Sequence, residues 1–392
     1  MNRTFRTPAL AYVGLTIVQI AIAYCLPTLA DEAYYQAWGR RLELGYFDHP
    51  PMVAWLAHVL PPRVASLLCL HCGLIFLTGA AKRMGLQYAL WCPVVVLSCP
   101  LGMVGGVIYT PDAPLFLFWS AFVYLLACRS LLGMSVALAL CMWTKLSIWP
   151  AILGLGYVLG IRKAAFVVSS AVLLYLPHLF WSADNQWLPW SHQASRPVSG
   201  LHFIEAALGQ VLVVGPVVFW AGMRSIFGPK TPLQTRMRPL VLPSLVLWFA
   251  ASFFTRVEAN WFLLGWIPAI LLAVELFQGA LRKWAIVYGV ATAVTALSLL
   301  CLAHSLGGTA GPPRLSDDFK SCAAYASTRG PVTVLRYQEA ALLAHLEKPF
   351  TYVRPEGRRA SQYDRWGRAE EFAGRLNLMA PVRERQSIAK TR

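Results

Sequence analysis

Charge is what this chain has least of. Asp, Glu, Lys and Arg make up 13% of its 392 residues, about half the share of a typical soluble domain. Hydrophobic residues make up 57% and the mean hydropathy is +0.53. Together these values exclude an ordinary soluble domain and identify a polytopic membrane protein with one smaller polar part. Acidic residues are scarcer than basic ones, 18 against 34, for a net charge of +16. In a soluble chain that balance would point to nucleic acid. Here the location of the charges argues otherwise, and no nucleic-acid partner is expected. Internal repeats and low-complexity runs are absent. Nine cysteines occur, most of them within apolar segments and only Cys322 clearly in the polar tail, which excludes a disulfide framework. Cys69-Leu70-His71-Cys72 has metal-like spacing. It lacks a second pair and falls inside an apolar segment, so it reads as small packed residues and one satisfied His. No convincing small-residue cleavage site follows the first apolar segment, which reads as a retained helix.

What the chain does have is apolar length. Eleven segments stand out: 8–26, 64–80, 87–108, 113–128, 132–145, 147–161, 164–181, 203–222, 239–255, 261–277 and 285–304. The short breaks hold Lys82, Arg83, Arg129, Arg162, Lys163, Arg224, Lys230, Arg236, Arg238, Arg282 and Lys283, with no Asp or Glu among them. Arg3 and Arg6 precede the first segment. If 132–161 is a hairpin of two short helices, all these cations fall on one face. Positive charge in short loops marks the cytoplasmic side. The N-terminus is then cytoplasmic, and the first loop, the 182–202 loop, the 256–260 turn and the tail after His304 lie on the opposite, external face.

The expected architecture is therefore an all-α membrane domain over 1–304, with about eleven transmembrane helices. A small external α/β domain over 305–392 is opened by Gly307-Gly308 and Gly311-Pro312-Pro313. In that tail, Pro331–Tyr337 and Phe350–Val353 read as strands around a short helix, Glu339–Leu346. In the first loop, Tyr34, Trp38 and Leu42 have helical spacing, so Asp31–Leu44 reads as an amphipathic surface helix. A second, Met52–Leu60, is started by two prolines. Loop aromatics, among them Tyr34, Trp38, Tyr46, Trp187 and Trp266, read first as interfacial anchors.

The candidate chemistry lies in the external loops. Asp31 and Glu32 follow the first span. Acids beside hydrocarbon are costly and are functional candidates by default. They can accept a proton, bind a metal or cap a helix, and Asp31 sits where an N-cap would. Asp112, in Tyr109-Thr110-Pro111-Asp112, is a second acid on the same face and an N-cap candidate for the next helix. Two such carboxylates can divide roles, one as base and one as orienting group. Lys145, between two half-length apolar segments, costs roughly 2.5–3.5 kcal/mol at a helix centre, less in a hairpin turn. Arg196 and Arg256 add cations from other loops, although Arg256 can simply pair with Glu258. Three cations meeting acids on one face suit an anionic leaving group, and a lipid-borne phosphate explains why such a site sits in a bilayer. Asp31, Glu32, Asp48 and His49 offer O and N ligands for a divalent metal, but their spacing sets no geometry.

Several strings then match a known family. They are DEAYYQAW (31–38), GYFDHPPMVAWL (45–56), TPDAPLFLFW (110–119), CMWTKLSIWP (141–150), PHLFWSADNQWLPWSHQASR (177–196), RVEANW (256–261), YQEAALL (337–343) and SQYDRW (361–366). In this order they span nearly the whole chain. The chain resembles the GT-C class of membrane glycosyltransferases, in the branch of dolichyl-phosphate-mannose protein mannosyltransferases and bacterial aminoarabinose transferases. The resemblance implies a cavity open to the exterior. It also implies transfer of a sugar from a polyprenyl-phosphate carrier, with inversion at the anomeric carbon. By the same resemblance Asp31 matches the catalytic acid, Glu32 its neighbour, Asp112 the second acid and Lys145 the lysine that reaches the carrier phosphate. Arg196 and Arg256 fall in matching strings as further phosphate ligands. Tyr34, Tyr35, His49, Glu258, Asn260, Gln362 and Tyr363 are expected near sugar or acceptor. Asp184-Asn185 departs from the family's pattern, and the external domain is short.

The resulting expectation is an envelope glycosyltransferase of a bacterial inner membrane acting on lipid A, lipopolysaccharide core or another glycan. From residue 305 on, Lys and Arg outnumber Asp and Glu, which favours an anionic acceptor surface. A protein acceptor is the alternative within the class. A lipid-linked solute transporter is the alternative outside it, weakened by the missing repeat, and a non-catalytic assembly subunit is the third reading.

Overall fold

The computed structural model describes residues 3–194, 198, 200–228, 231–305, 332–334, 336–346, 350–354 and 360–366. Arg196, Lys230 and Cys322 lie outside the described residues, as do the side chains of Arg3 and Arg6. The chain begins with α1 (Arg3–Cys25), α2 (Ala30–Gly39), α3 (Met52–Val59), α4 (Pro62–Arg83), α5 (Cys92–Leu97), α6 (Asp112–Ala127) and α7 (Leu131–Met142). Next come α8 (Trp149–Ile152), α9 (Leu155–Leu159), α10 (Ile161–Asp184), α11 (Leu188–Ala194), α12 (Phe203–Val214) and α13 (Pro216–Phe227). The last elements are α14 (Pro232–Ala251), α15 (Leu263–Ala273), α16 (Gly279–Ser305), β1 (Val332–Val334), α17 (Tyr337–His345), β2 (Phe350–Tyr352) and α18 (Gln362–Arg365).

Among the described residues, four helices are long and apolar enough to cross a membrane: Thr7–Cys25, Pro62–Arg83, Ile161–Asp184 and Ala259–Leu276. A fifth arises if α12 and α13, bent by 108°, are one broken span. The 239–255 and 285–304 segments lie largely in the continuous helices α14 and α16, of 20 and 27 residues, while several others are realised as shorter or interrupted helices with proline or glycine at the breaks. Gly215, at φ 86°, precedes Pro216 at the 108° bend. The 87–108 segment breaks at Pro93 and Pro100, then widens into a π-type turn at Leu101–Gly105. Its freed carbonyls find donors from neighbouring helices. Gln19 Nε2 donates to the Gly102 and Met103 oxygens (2.8 and 3.2 Å), and Ser66 Oγ to those of Gly106 and Ile108 (2.9 and 3.2 Å). Irregular backbone at membrane depth is tolerated where protein re-satisfies it in this way.

The C-terminal elements form a β-α-β unit, as the sequence predicts. β1 and β2 are parallel with Val332 opposite Phe350, and α17 connects them. The unit does not stand apart from the helical part. Leu343, Tyr363 and Trp366 share one apolar cluster with Tyr34, Trp38, Tyr46 and Val53 of the first loop. Trp38 and Tyr46 stack at 4.5 Å and are fully buried. These rings, and Trp266, are core and not interfacial anchors; Trp187 stays 47% exposed. α2 accordingly ends at Gly39, and Leu42, expected on its apolar face, is exposed.

The position of α2 is set by Glu32. Its side chain is 1% exposed, and each oxygen accepts more than one hydrogen bond. Oε1 receives Arg63 Nε (3.2 Å) and the Tyr109 amide (3.1 Å). Oε2 receives Arg63 Nη2 (2.9 Å) and the Leu29 amide (2.9 Å). Arg63 also donates to the carbonyls of Ala23 (2.8 Å), Leu26 and Pro27 (2.6 Å), which close the end of α1 and the turn after it. One ion pair thus joins α1, α2, α4 and the loop leading to Asp112. Glu32→Ala leaves a half-buried guanidinium without its counter-ion and is expected to cost about 3 kcal/mol. A lowered Tm of the purified protein, matched by Arg63→Ala, is the measurement; an unchanged Tm contradicts the brace.

Candidate active site

The structure separates the two neighbouring acids. Glu32, expected beside the catalytic acid, has both oxygens saturated by donors, an arrangement that fits a structural brace. Asp31 is not the N-cap of α2. Leu29 occupies that position, and its amide goes to Glu32. The Asp31 carboxylate is exposed to solvent, yet it lies in a recess walled by protein, which withholds much of its bulk hydration. That desolvation raises its pKa above the ordinary carboxylate range; Glu258 and Glu32 add to the rise, and a hydrogen bond from the Tyr337 hydroxyl opposes it. The Tyr35 phenol lies within electrostatic range of Asp31, Asp48, Tyr337 and Asp112, and burial with these charges holds it protonated. Tyr35 and Tyr337 thereby mark one recess shared by acids from separate loops.

Asp112 is the second half of the site. It is the first residue of α6 and caps nothing through its side chain. Instead, Oδ1 accepts from Lys145 Nζ at 2.6 Å and Oδ2 from Asn260 Nδ2 at 2.5 Å, with Thr110 Oγ1 at 3.4 Å. Lys145 occupies the extended break between α7 and the following 3-10 turn, so no helix carries it at mid-length. It is 5% exposed. An ammonium that deep requires a counter-ion, and Asp112 supplies it. Asn260 is brought there by the turn before α15. Gln210 anchors that turn, donating to the Ala259 carbonyl (3.2 Å) and accepting from Trp266 Nε1 (2.9 Å).

Asp112 also lines an apolar cavity. Its walls include Leu70, Phe116, Leu263 and Trp266, and Asp112 is its sole charged lining residue. The interrupted Leu101–Gly105 turn contributes Gly102 and Gly105 to the lining; a Cβ at Gly102 would collide with the Val96 carbonyl, so glycine lets this turn pack against α5.

Other expected site residues lie elsewhere. Tyr34, Gln362 and Tyr363 are buried and clasp the C-terminal unit to the first loop. The Gln362 amide donates to Tyr34 Oη (2.7 Å), and the Phe47 amide donates to Gln362 Oε1 (2.7 Å). They therefore offer no surface to a sugar. Arg256 pairs with Glu205 at 2.9 Å, not with Glu258, and both partners are about half exposed. Glu258 is exposed and within electrostatic range of Asp31. His49 is half-buried, with its ring 6.1 Å from that of Tyr35. Asp48 faces His192 at 3.5 Å. Asn185 accepts from Arg365 Nη2 (2.9 Å), whose Nη1 reaches Glu43 (2.6 Å). The unusual Asp184-Asn185 pair is thus part of the clasp.

The four proposed metal ligands do not fit a metal. Both oxygens of Glu32 are occupied by donors, and among the described residues no three His, Cys, Asp or Glu side chains converge on one point. Cys69 and His71 do not form a metal pair either; His71 Nδ1 bonds Tyr12 Oη at 2.7 Å.

Arg63 and Tyr337 are the residues that sequence reasoning missed. Arg63 opens an apolar helix, where the dipole disfavours a cation. A charge so misplaced signals a strong local partner. Tyr337 begins the YQEAALL string and could have been singled out there.

No protein-family model matches the chain. Over 320 residues, 71% of its length, it is 25% identical to the lipid A galacturonosyltransferase RgtD of Rhizobium johnstonii, and the match spans 66% of that protein. Its fold is similar to the crystal structure of ArnT from Cupriavidus metallidurans bound to undecaprenyl phosphate. That likeness has a TM-score of 0.61 and 15% identity, and covers 89% of this chain and 86% of that one. The apo form of the same protein gives a TM-score of 0.53 at 17% identity, over 86% and 70%.

The Asp112–Lys145 pair makes a thermodynamic prediction. Asp112→Ala and Lys145→Ala each strand a buried charge and are expected to lower stability by about 3 kcal/mol. The double variant Asp112→Ala/Lys145→Ala is expected to lose less than the sum of the two singles. Additive losses in Tm would show that the pair is not coupled.

Proposed function

With the fold of the GT-C membrane glycosyltransferases as premise, we propose that the chain is an inverting glycosyltransferase. It moves a sugar from a polyprenyl-phosphate carrier to lipid A or a related envelope glycan. It works on the periplasmic side of a bacterial inner membrane, with the N-terminus cytoplasmic. Its partners are the lipid-linked donor, the glycolipid acceptor and the surrounding membrane lipids. One observation carries this reading: Asp31, with its raised pKa, and Asp112 of the Lys–Asp pair both lie within electrostatic range of Tyr35, and Asp112 also lines an apolar cavity. The relatedness to a lipid A galacturonosyltransferase supports the acceptor class. A fold shared with a protein crystallised with undecaprenyl phosphate supports the carrier.

In this reading the isoprenoid lies along the apolar cavity, where each buried methylene contributes about 0.8 kcal/mol. The headgroup then comes to rest beside Asp112. Lys145, positioned by its 2.6 Å contact with Asp112, meets the carrier phosphate. At 4 Å and an effective dielectric of 20, one such contact is worth about 4 kcal/mol before desolvation. Asp31 accepts the proton of the acceptor hydroxyl. The hydroxyl oxygen bonds to the anomeric carbon from the face opposite the phosphate, and the bond from that carbon to the phosphate oxygen breaks. The electron pair leaves on the phosphate, where the ammonium offsets the growing charge. Tyr35 and Tyr337 line the recess and hold water and hydroxyls in order. Arg256, Glu258 and His49 lie further out, as candidate contacts for sugar or acceptor. Arg196 retains its proposed place among the phosphate ligands on sequence grounds alone.

The test is transfer from radiolabelled undecaprenyl-phosphate sugars, galacturonosyl and aminoarabinosyl, to lipid A by the purified protein. Asp31→Asn is expected to lower turnover by about 100-fold or more. Because the folded-state pKa of Asp31 is raised, the folded chain holds that proton more tightly than the unfolded one. This contribution to stability is present in acid and is lost as pH rises through the folded value. Asp31→Asn is therefore expected to keep or raise Tm at neutral pH while activity falls. The acid limb of kcat/KM should lie above the ordinary Asp value of about 3.9. Undiminished turnover in Asp31→Asn removes it from the base role.

A further inference from the structure

A second recess lies at the other end of α6, lined also by α7. Asp112 begins α6 and Leu126 nearly ends it, so the two sites are separated by about 21 Å along that helix at 1.5 Å per residue. Leu126, Met134 and Val158 form part of its apolar lining, and its charged residues are Arg129, Lys163 and Arg236. All three cations are exposed, and among the described residues none makes an ion pair. The walls contain nothing to neutralise them. No Asp or Glu occurs between Asp112 and Asp184, or between Glu205 and Glu258. Three like charges around one recess repel one another, so the arrangement favours an anion between them.

Two further observations narrow the anion. Arg129 is held at φ 58° in the turn between α6 and α7. Glycine or asparagine adopts that conformation at lower cost, so the position retains a long cationic side chain against its backbone preference. Around the recess, Leu132, Tyr157 and Ile161 are 70%, 89% and 77% exposed. Large apolar groups so bare are in place beside hydrocarbon, which puts the cations at the boundary between acyl chains and headgroups.

We propose that this recess binds the phosphate headgroup of an anionic phospholipid in the leaflet opposite the candidate active site. The phosphate sits among Arg129, Lys163 and Arg236, and its acyl chains run down the apolar faces flanking the recess. The inference rests on the chain crossing a membrane and is independent of the transfer reaction.

The experiment uses the full-length protein in detergent, read by native mass spectrometry and thermal shift. Phosphatidylglycerol and phosphatidylcholine of matched chains are compared. Wild type is expected to retain phosphatidylglycerol and gain Tm from it, with little response to phosphatidylcholine. The variant Arg129→Asn/Lys163→Gln/Arg236→Gln keeps a residue suited to positive φ at 129. It is expected to bind phosphatidylglycerol at least about tenfold more weakly. Arg83→Gln/Arg162→Gln removes two cations outside the recess and is expected to bind as wild type does. Equal response to the two lipids, or equal loss in the two multiple variants, overturns the site. Glycerol 3-phosphate in solution is expected to give no shift; a shift equal to that from phosphatidylglycerol overturns the lipid as occupant.

Discussion

Everything about the candidate site depends on one buried ion pair. Glu32 would be intolerable in an apolar setting without compensation, since a lone carboxylate there costs several kcal/mol. It is compensated by four donors, two from Arg63 and two from the amides of Leu29 and Tyr109. Those donors belong to three different parts of the chain, so satisfying one charge positions all of them against α2. Arg63 at the same time closes the last carbonyls of α1. The next residue toward the N-terminus, Asp31, is turned about 100° around the helix by the 3.6-residue period. It therefore faces the recess while Glu32 faces the brace. Two adjacent acids have opposite roles because a helix cannot aim both the same way.

The scarcity of charge explains the rest of the site. In a chain this apolar, each ionised group inside must be held by another. Lys145 and Asp112 hold each other, and Asn260 occupies the second carboxylate oxygen. The adjacent cavity is apolar for a related reason. The proline and glycine breaks between 92 and 106 free backbone carbonyls beside it, and Gln19 and Ser66 donate to those of Gly102, Met103, Gly106 and Ile108.

The C-terminal unit closes the recess from outside. Tyr337 bonds Asp31, Gln362 bonds the first loop, and Arg365 joins Glu43 to Asn185. Residues of the SQYDRW string fasten this unit to the first loop. A motif records that residues matter together, and does not distinguish touching a ligand from holding the wall that does.

Apolar runs and the one-sided distribution of Lys and Arg were legible without coordinates, because hydrophobic length and loop charge are local properties. The same holds for the surface helix after the first span, the β-α-β pattern near residue 340, and the candidacy of Asp31, Asp112 and Lys145. Tertiary structure alone decided which acid is free and which is bound. It also decided that Lys145 pairs with Asp112, that Arg256 turns to Glu205, and that Tyr34, Gln362 and Tyr363 are buried. Burial and partnership depend on residues tens or hundreds of positions away. Arg63 lies 31 residues from Glu32, and Gln362 lies 328 from Tyr34. A charge's partner is a fact of three-dimensional packing, whereas the need for a partner follows from composition, and that is where the division falls.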